Sequence, residues 1–222
     1  MRESLPQKTI FDRMEAKLYS AVISDVLDDI GLRDHTLNDL IGPIRADMVL
    51  AGRAKPMLAS RVFEVPDEPY KVMIKALDSI KPGEVPVMVT NNDSSAAMWG
   101  ELLSTASRAR GARGTIIEGL ARDTRQILEM GFPLFCTGTS PADSKGRSEV
   151  IEFDRRIRCG GASINHGDIV FADADGIVAI PQDVEDEVLA RAYKKVSREN
   201  GVRRDLLRGE LLGDAWRKHG IL

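Results

Sequence analysis

Two short segments carry residue types that could do chemistry together. The first is Trp99-Gly100-Glu101-Leu102-Leu103, which opens an amphipathic pattern running from Glu101 to Arg110. The second is Gly119-Leu120-Ala121-Arg122-Asp123, which closes the apolar run Gly114-Thr115-Ile116-Ile117-Glu118-Gly119. A helix N-terminus offers backbone N–H groups with no intrahelical acceptor, and Gly100 lets a ligand approach them closely. An arginine at a strand end presents a planar fork suited to a carboxylate or enolate oxygen, and the carboxylate beside it can hold a cation. Together they suit a small anionic substrate held on a metal ion, with Asp123 as the metal ligand. Each residue also has a purely structural role open to it. Asp123 suits the N-cap of a helix starting at Thr124, Arg122 an exposed surface charge, and Glu101 the first turn of a helix, where it complements the macrodipole.

The elements that must position these residues read as strands alternating with helices. Phe11, Met14, Leu18, Val22, Val26 and Ile30 recur at helical spacing, with Gly31 as the stop. A turn-rich stretch, 34–45, precedes one long or two short strands over 48–65. A helix is expected over 69–80, ended by Pro82-Gly83, then a buried strand over 85–90. The helix at 101–110, the strand at 115–118, a helix at 124–130 and a short strand at Leu134-Phe135 follow. This alternation predicts an α/β core with a parallel or mixed sheet. Beyond Pro141 a strand is expected over 149–157 and a turn at Cys159-Gly160-Gly161. A hairpin follows around Asp173-Ala174-Asp175-Gly176, forming an antiparallel β appendage. A charged helix covers 182–198, weakened or capped by Asn200-Gly201, and a shorter one covers 211–218.

Composition excludes several classes. In 222 residues, 43% are apolar and 29% charged, ordinary for a globular chain. The 31 basic residues are matched by 34 acidic ones, net −3, so no nucleic-acid footprint is present. No apolar run reaches the roughly 20 residues that span a bilayer. The N-terminal MRESLPQKTIFDRME lacks a signal-peptide core, so a cytoplasmic location and reduced thiols at Cys136 and Cys159 are expected. His35, His166 and His219 show no metal spacing. Asp173-Ala174-Asp175-Gly176 would need a glutamate where Val184 stands to be a calcium loop, so the hairpin is preferred. No glycine-rich cofactor loop follows an early strand, which leaves a methyltransferase reading without support.

Ser24-Asp25 with Val26-Leu27-Asp28, Gly100-Glu101-Leu102-Leu103, Gly119 through Asp123, and Gly138-Thr139-Ser140-Pro141-Ala142-Asp143 together resemble signatures of the RraA-like superfamily. Gly160-Gly161, Gly167-Asp168-Ile169-Val170 and Asp173 to Pro181 extend the resemblance in order. That superfamily includes the 4-hydroxy-4-methyl-2-oxoglutarate aldolases, their 4-carboxy-4-hydroxy-2-oxoadipate relatives, and the regulator of ribonuclease E activity. The resemblance implies an α/β domain of layered β/β/α, swivelling phosphohistidine-domain type over residues 1–181, with a C-terminal helical extension over 182–222. It implies homotrimers or homohexamers with sites between subunits. It implies that the backbone at Gly100, Glu101, Leu102 and Leu103 binds a pyruvyl carboxylate, and that Arg122 contacts the keto oxygen. Asp123 would ligate Mg²⁺ or Mn²⁺, and Glu101, in place of an aspartate, would order metal-bound water as the base. Glu199 of the partner subunit would add a further carboxylate. The implied activity is a class II pyruvate aldolase, a carbon–carbon lyase acting on a small 2-oxo acid, with oxaloacetate decarboxylation accompanying it. The alternative is a non-catalytic regulator that binds a ribonuclease. That branch typically lacks the carboxylate after the arginine, which is intact here as Asp123.

Overall fold

A computed structural model describes residues 9–38, 40–91 and 93–221. Most of the N-terminal stretch read for a signal core, together with Leu222, lies outside them.

The mixed α/β architecture is built on one nine-stranded sheet. Its strands are β1 (Gly42–Pro43), β2 (Leu50–Arg61), β3 (Glu84–Val89), β4 (Ala97–Trp99), β5 (Thr115–Ala121), β6 (Leu134–Thr139), β7 (Ser148–Phe153), β10 (Ile169–Asp173) and β11 (Gly176–Ile180). A separate two-stranded ribbon joins β8 (Ile157–Cys159) to β9 (Ala162–Ile164) around the Gly160-Gly161 turn. The helices are α1 (Ile10–Lys17), α2 (Ser20–Asp29), α3 (Lys71–Asp78), α4 (Glu101–Ala109), α5 (Thr124–Met130), α6 (Glu185–Leu207) and α7 (Leu212–His219). None is long and apolar enough to cross a membrane among the described residues.

The order along the sheet is β1-β6-β5-β3-β2-β10-β11, with β4 beside β5 and β7 beside β2. Pairs β2–β3, β3–β5, β5–β6 and β4–β5 are parallel. Every residue of β3 is buried, as expected of a central parallel strand covered on both faces. The hairpin β10–β11 is not a separate appendage. Its strand β10 pairs antiparallel with β2, from Ile169 opposite Arg53 to Ala172 opposite Leu50, and extends the main sheet. Phe135 of β6 and Ile177 of β11, from opposite ends of that order, share one apolar cluster with Val85, Val87 and Ile116, so the sheet curls around it.

The first helical run is divided. Leu18 and Tyr19 are extended, which ends α1 and starts α2. Thr9 and Asp12 form a capping box on α1. For α2 the cap comes from elsewhere in the chain: Asp173 of the hairpin accepts the Ser20 N–H at 2.8 Å and its hydroxyl at 2.6 Å. The Asp173-to-Gly176 turn therefore anchors a helix. At the other end α6 runs straight through Asn200-Gly201, against the expected stop there. Val188, Leu189, Ala192 and Val202 continue its buried face past the glycine, and that burial outweighs the roughly 1 kcal/mol cost of an interior glycine. Gly201 also leaves room for His219 of α7, whose Cε1 would lie 3.3 Å from a Cβ there.

Candidate active site

Strand pairing brings the two sequence segments together. Strand β4 runs parallel to the end of β5, with Trp99 opposite Ala121, and the Arg122 N–H donates to the Trp99 carbonyl at 2.8 Å. Gly100 and Arg122 therefore emerge side by side at the carboxyl edge of the parallel strands, where open α/β sheets hold ligands. Trp99 itself is buried, and its indole N–H donates to Ser104 Oγ at 2.9 Å, tying the strand to the first turn of α4.

The result is a crevice of ≈ 250 Å³ whose walls include Tyr70, Gly100, Leu102, Leu103, Arg122, Asp123 and Asp143. Asp123 occupies the N-cap position of α5 but does not cap it. Its backbone is left-handed at φ +56°, and its side chain makes no hydrogen bond to that helix. Asp123 Oδ2 instead accepts the Glu101 N–H at 3.2 Å across the crevice floor and lies 3.7 Å from Arg122 Nε. The space is tight: a Cβ on Gly100 would sit 2.7 Å from Asp123 Oδ2 and 3.2 Å from Arg122 Cγ.

Arg122 is held in place by partners that the sequence motifs did not single out for a role. Its Nη1 pairs with Asp143 Oδ1 at 3.0 Å, and Asp143 Oδ2 accepts the Tyr70 hydroxyl at 2.9 Å. Burial works to raise the Asp143 carboxyl, but the Tyr70 hydroxyl, the Arg122 charge and the Ser144 and Lys145 backbone N–H groups together outweigh it and hold the group below the ordinary range. Burial and the bond to Asp143 push the Tyr70 hydroxyl up. Tyr70 stands at the N-cap of α3 in a left-handed conformation, φ +63°, unusual for a bulky residue. Its N–H donates to Glu149 Oε2 at 3.0 Å, which fixes that turn. Asp143 lies in the Gly138-to-Asp143 motif and is drawn in by a parallel bridge to Ala97. For Tyr70 no sequence signal exists, since it lies some fifty residues from Arg122, at the N-cap of α3.

Not every expected residue converges. Gly100, Leu102, Leu103, Arg122 and Asp123 do, but the Glu101 amide is committed to Asp123, and its carboxylate accepts the Thr105 hydroxyl at 2.6 Å along α4. Glu199, on α6, accepts the Tyr19 hydroxyl of its own chain, and burial raises its carboxyl. Among the described residues no three His, Cys, Asp or Glu side chains cluster as a metal cage. With Asp143 paired to Arg122 and Tyr70, the carboxylate the crevice offers a cation is Asp123, with 43% of its side chain exposed. That donor set fits a hydrated Mg²⁺ or Mn²⁺, which keeps most of its waters, and does not fit a metal ligated entirely by protein. Cys136 and Cys159 are free and buried, and burial raises both thiols.

Comparison with known proteins gives the family of the chain. The chain is 33% identical over 173 residues to a Halalkalibacterium halodurans protein named "Putative 4-hydroxy-4-methyl-2-oxoglutarate aldolase", covering 78% of this chain and 77% of that one. It is 28% identical over 196 residues to Protein DlpA of Legionella pneumophila, covering 88% of this chain but only 31% of that larger protein. Among solved structures, Streptomyces coelicolor RraAS2, described as an unusual member of the RNase ES inhibitor RraA protein family, shares the fold. Its TM-score is 0.78 at 23% identity, over 90% of this chain and 99% of that one. The RraA-like family model, described as Aldolase/RraA, matches residues 20–179, and with the crevice built from that span the chain belongs to the RraA-like family.

Proposed function

We propose that this protein is a divalent-metal-dependent pyruvate aldolase that cleaves a 4-hydroxy-2-oxo acid and also decarboxylates oxaloacetate. The observation that carries the reading is the meeting of three groups in one crevice: the first turn of α4 opened by Gly100, the Arg122 fork, and the partly exposed Asp123 carboxylate. The relative named for 4-hydroxy-4-methyl-2-oxoglutarate cleavage supports the same reaction class.

In this reading the substrate carboxylate lies on the amides of Leu102 and Leu103, in the helix turn that has no internal acceptor. Arg122 donates to the 2-oxo oxygen, where negative charge grows as the C3–C4 bond breaks. The electron pair of that bond passes to C3 as the enolate of pyruvate, and C4 becomes the carbonyl of the second product. The proton leaving the C4 hydroxyl goes to a base, which we assign to water ordered by Glu101 after a turn of its half-buried side chain away from Thr105. C3 then takes up a proton to give pyruvate. Asp123 is the residue to hold Mg²⁺ or Mn²⁺, which when bound supplies Lewis acidity at the 2-oxo group. Asp143 and Tyr70 keep the Arg122 fork aimed. Oxaloacetate loses its C4 carboxylate as CO₂ through the same charge development without needing the base, so decarboxylation accompanies cleavage.

The proposal extends to a cytoplasmic homotrimer or homohexamer with sites between subunits, in which Glu199 of the partner subunit adds a carboxylate. The catalytic unit is residues 1–181, and 182–222 form a packing extension. The alternative, a regulator that binds a ribonuclease, would have no use for a carboxylate placed as Asp123 is. The deciding experiment is pyruvate release from oxaloacetate with and without Mg²⁺ or Mn²⁺, comparing wild type with Asp123→Ala. Metal-dependent release that vanishes in a folded variant supports the reading, and no release with either metal refutes it.

A further inference from the structure

Two hydroxyls follow one another on α4 and bond differently. Ser104 is buried; its Oγ accepts the Trp99 indole N–H at 2.9 Å and donates to the Gly100 carbonyl at 3.1 Å, so its role is to hold the start of the helix. Thr105 is exposed. A helical threonine commonly turns its hydroxyl back to the carbonyl four residues earlier. The Thr105 hydroxyl donates instead to the Glu101 carboxylate, at 2.6 Å. Glu101 and Thr105 stand one turn apart on the same face of α4, and the short bond lays the carboxylate along the helix. Gly100, Leu102 and Leu103 line the crevice, whereas Glu101, held in this way, does not.

Electrostatics gives the bond a use. The Glu101 amide donates to Asp123 Oδ2 at 3.2 Å, so one carboxylate already stands beside the Glu101 backbone. Arg122 lies 3.7 Å from that carboxylate but is also paired with Asp143. A Glu101 carboxylate swung inward would meet like charge, and the bond to Thr105 spares it that contact. The balance reverses once the charge on Asp123 is offset, as by a divalent cation. Glu101 is then drawn toward the crevice, and all that holds it back is one exposed hydrogen bond.

Resting on the aldolase reading above, we infer that Thr105 is a positioning residue, a latch that keeps the Glu101 carboxylate out of the crevice until the charge on Asp123 is offset. The step it governs is transfer of the C4 hydroxyl proton to water ordered by Glu101. Thr105 itself gives up no proton and touches no substrate atom. Decarboxylation of oxaloacetate needs no base and therefore does not depend on the latch.

The test compares wild type with Thr105→Val, which keeps the branched shape and loses the hydroxyl, and with Thr105→Ser, which keeps the hydroxyl. Thr105→Ala repeats the loss on a better helix former. Mn²⁺ binding without substrate is read by electron paramagnetic resonance. Turnover of 4-hydroxy-4-methyl-2-oxoglutarate and of oxaloacetate is measured at saturating Mn²⁺. Thr105→Val should bind Mn²⁺ about two- to fivefold more tightly, the lower part of what a net hydrogen bond contributes, because this one is exposed. The ratio of cleavage to decarboxylation should rise by about the same factor, since the same bond no longer has to break. Thr105→Ser should behave as wild type, and the Mn²⁺ difference should vanish in a Glu101→Gln background. An unchanged Mn²⁺ affinity, an unchanged or lowered ratio, a serine variant that follows valine, or a difference that survives Glu101→Gln each overturns the latch. Decarboxylation without any cleavage removes the base, and the latch with it, and leaves the enolate-forming site standing. Failure to bind Mn²⁺ or to turn over either acid overturns the aldolase reading itself, and this inference with it.

Discussion

Replacing Gly100 by alanine tests whether the closeness of the crevice floor is used. The Gly100 backbone is extended, φ −152° and ψ −172°, a conformation open to any residue, so alanine brings no backbone strain. Its only effect is the added methyl, which would lie 2.7 Å from Asp123 Oδ2, 3.2 Å from Arg122 Cγ and 3.4 Å from Arg122 Nε. The tightest of these contacts is to the end of a flexible, partly exposed carboxylate, which can swing aside at little cost in stability. Loss of the better N-cap residue destabilises by about 0.5 kcal/mol, and the reduced entropy of the unfolded chain returns about as much. Melting temperature should therefore move by no more than about 2–4 °C, the shift expected of 1 kcal/mol in a domain of this size. Activity responds differently, because Asp123 Oδ2 must move by about 0.5 Å or more and lose its 3.2 Å bond from the Glu101 N–H. A displacement approaching 1 Å in a reacting constellation costs up to about a hundredfold. Metal-dependent pyruvate release should fall by about 10- to 100-fold in a variant that melts almost normally. Activity within about threefold of wild type would refute the use of this close approach, and with it the placement of Asp123 and the α4 amides around one ligand.

Further consequences are equally open to measurement. Arg122→Lys should lower kcat/KM for oxaloacetate by about a hundredfold, because the donors of an ammonium sit on one nitrogen and cannot reproduce the planar fork that spans Asp143 and a substrate oxygen; near-normal turnover would remove the fork from the mechanism. Tyr70→Phe removes a donor to the Asp143 carboxylate. That carboxyl is depressed in the folded protein, so its contribution to stability is present above its ordinary value and is lost as pH falls through the lowered one. The variant should lose about 1 kcal/mol near neutrality, discounted for a side chain 40% exposed, and should lose less on acidification than wild type does; parallel melting curves across pH 3–7 would contradict this. Asp154→Asn keeps a residue tolerant of the left-handed backbone at φ +59° but leaves the Lys55 ammonium, with 2% of its side chain exposed, without its counter-charge. A loss of about 3 kcal/mol is expected, with Lys55→Met nearly neutral by comparison, and equal denaturation midpoints for the two would contradict it.

What was legible in the sequence was local. The start of α4 at Glu101, the limits of α5 at Thr124–Met130, the buried run of β3 and the hairpin at Asp173–Gly176 follow from periodicity, turn chemistry and β-branched content over a few neighbouring residues. The Gly100 and Arg122-Asp123 segments were visible as candidates for the same reason, since each is a short string of chemically distinctive residues. Tertiary structure decided what those segments meet. The three-residue strand β4 is too short to carry a pattern of its own, yet its pairing with β5 sets Gly100 beside Arg122. The same pairing turned Asp123 from a helix cap into an acceptor for the Glu101 N–H, an outcome that local preference argues against. Tyr70 and Asp143 reach Arg122 from α3 and from the segment after β6, and contacts between residues that distant leave no periodic trace in the chain. The hairpin's place on β2 and the passage of α6 through Gly201 were settled likewise, by burial summed over partners far away in sequence. Propensities act over one or two turns or strands, whereas the crevice depends on which strand edges lie side by side, and only the packed sheet determines that.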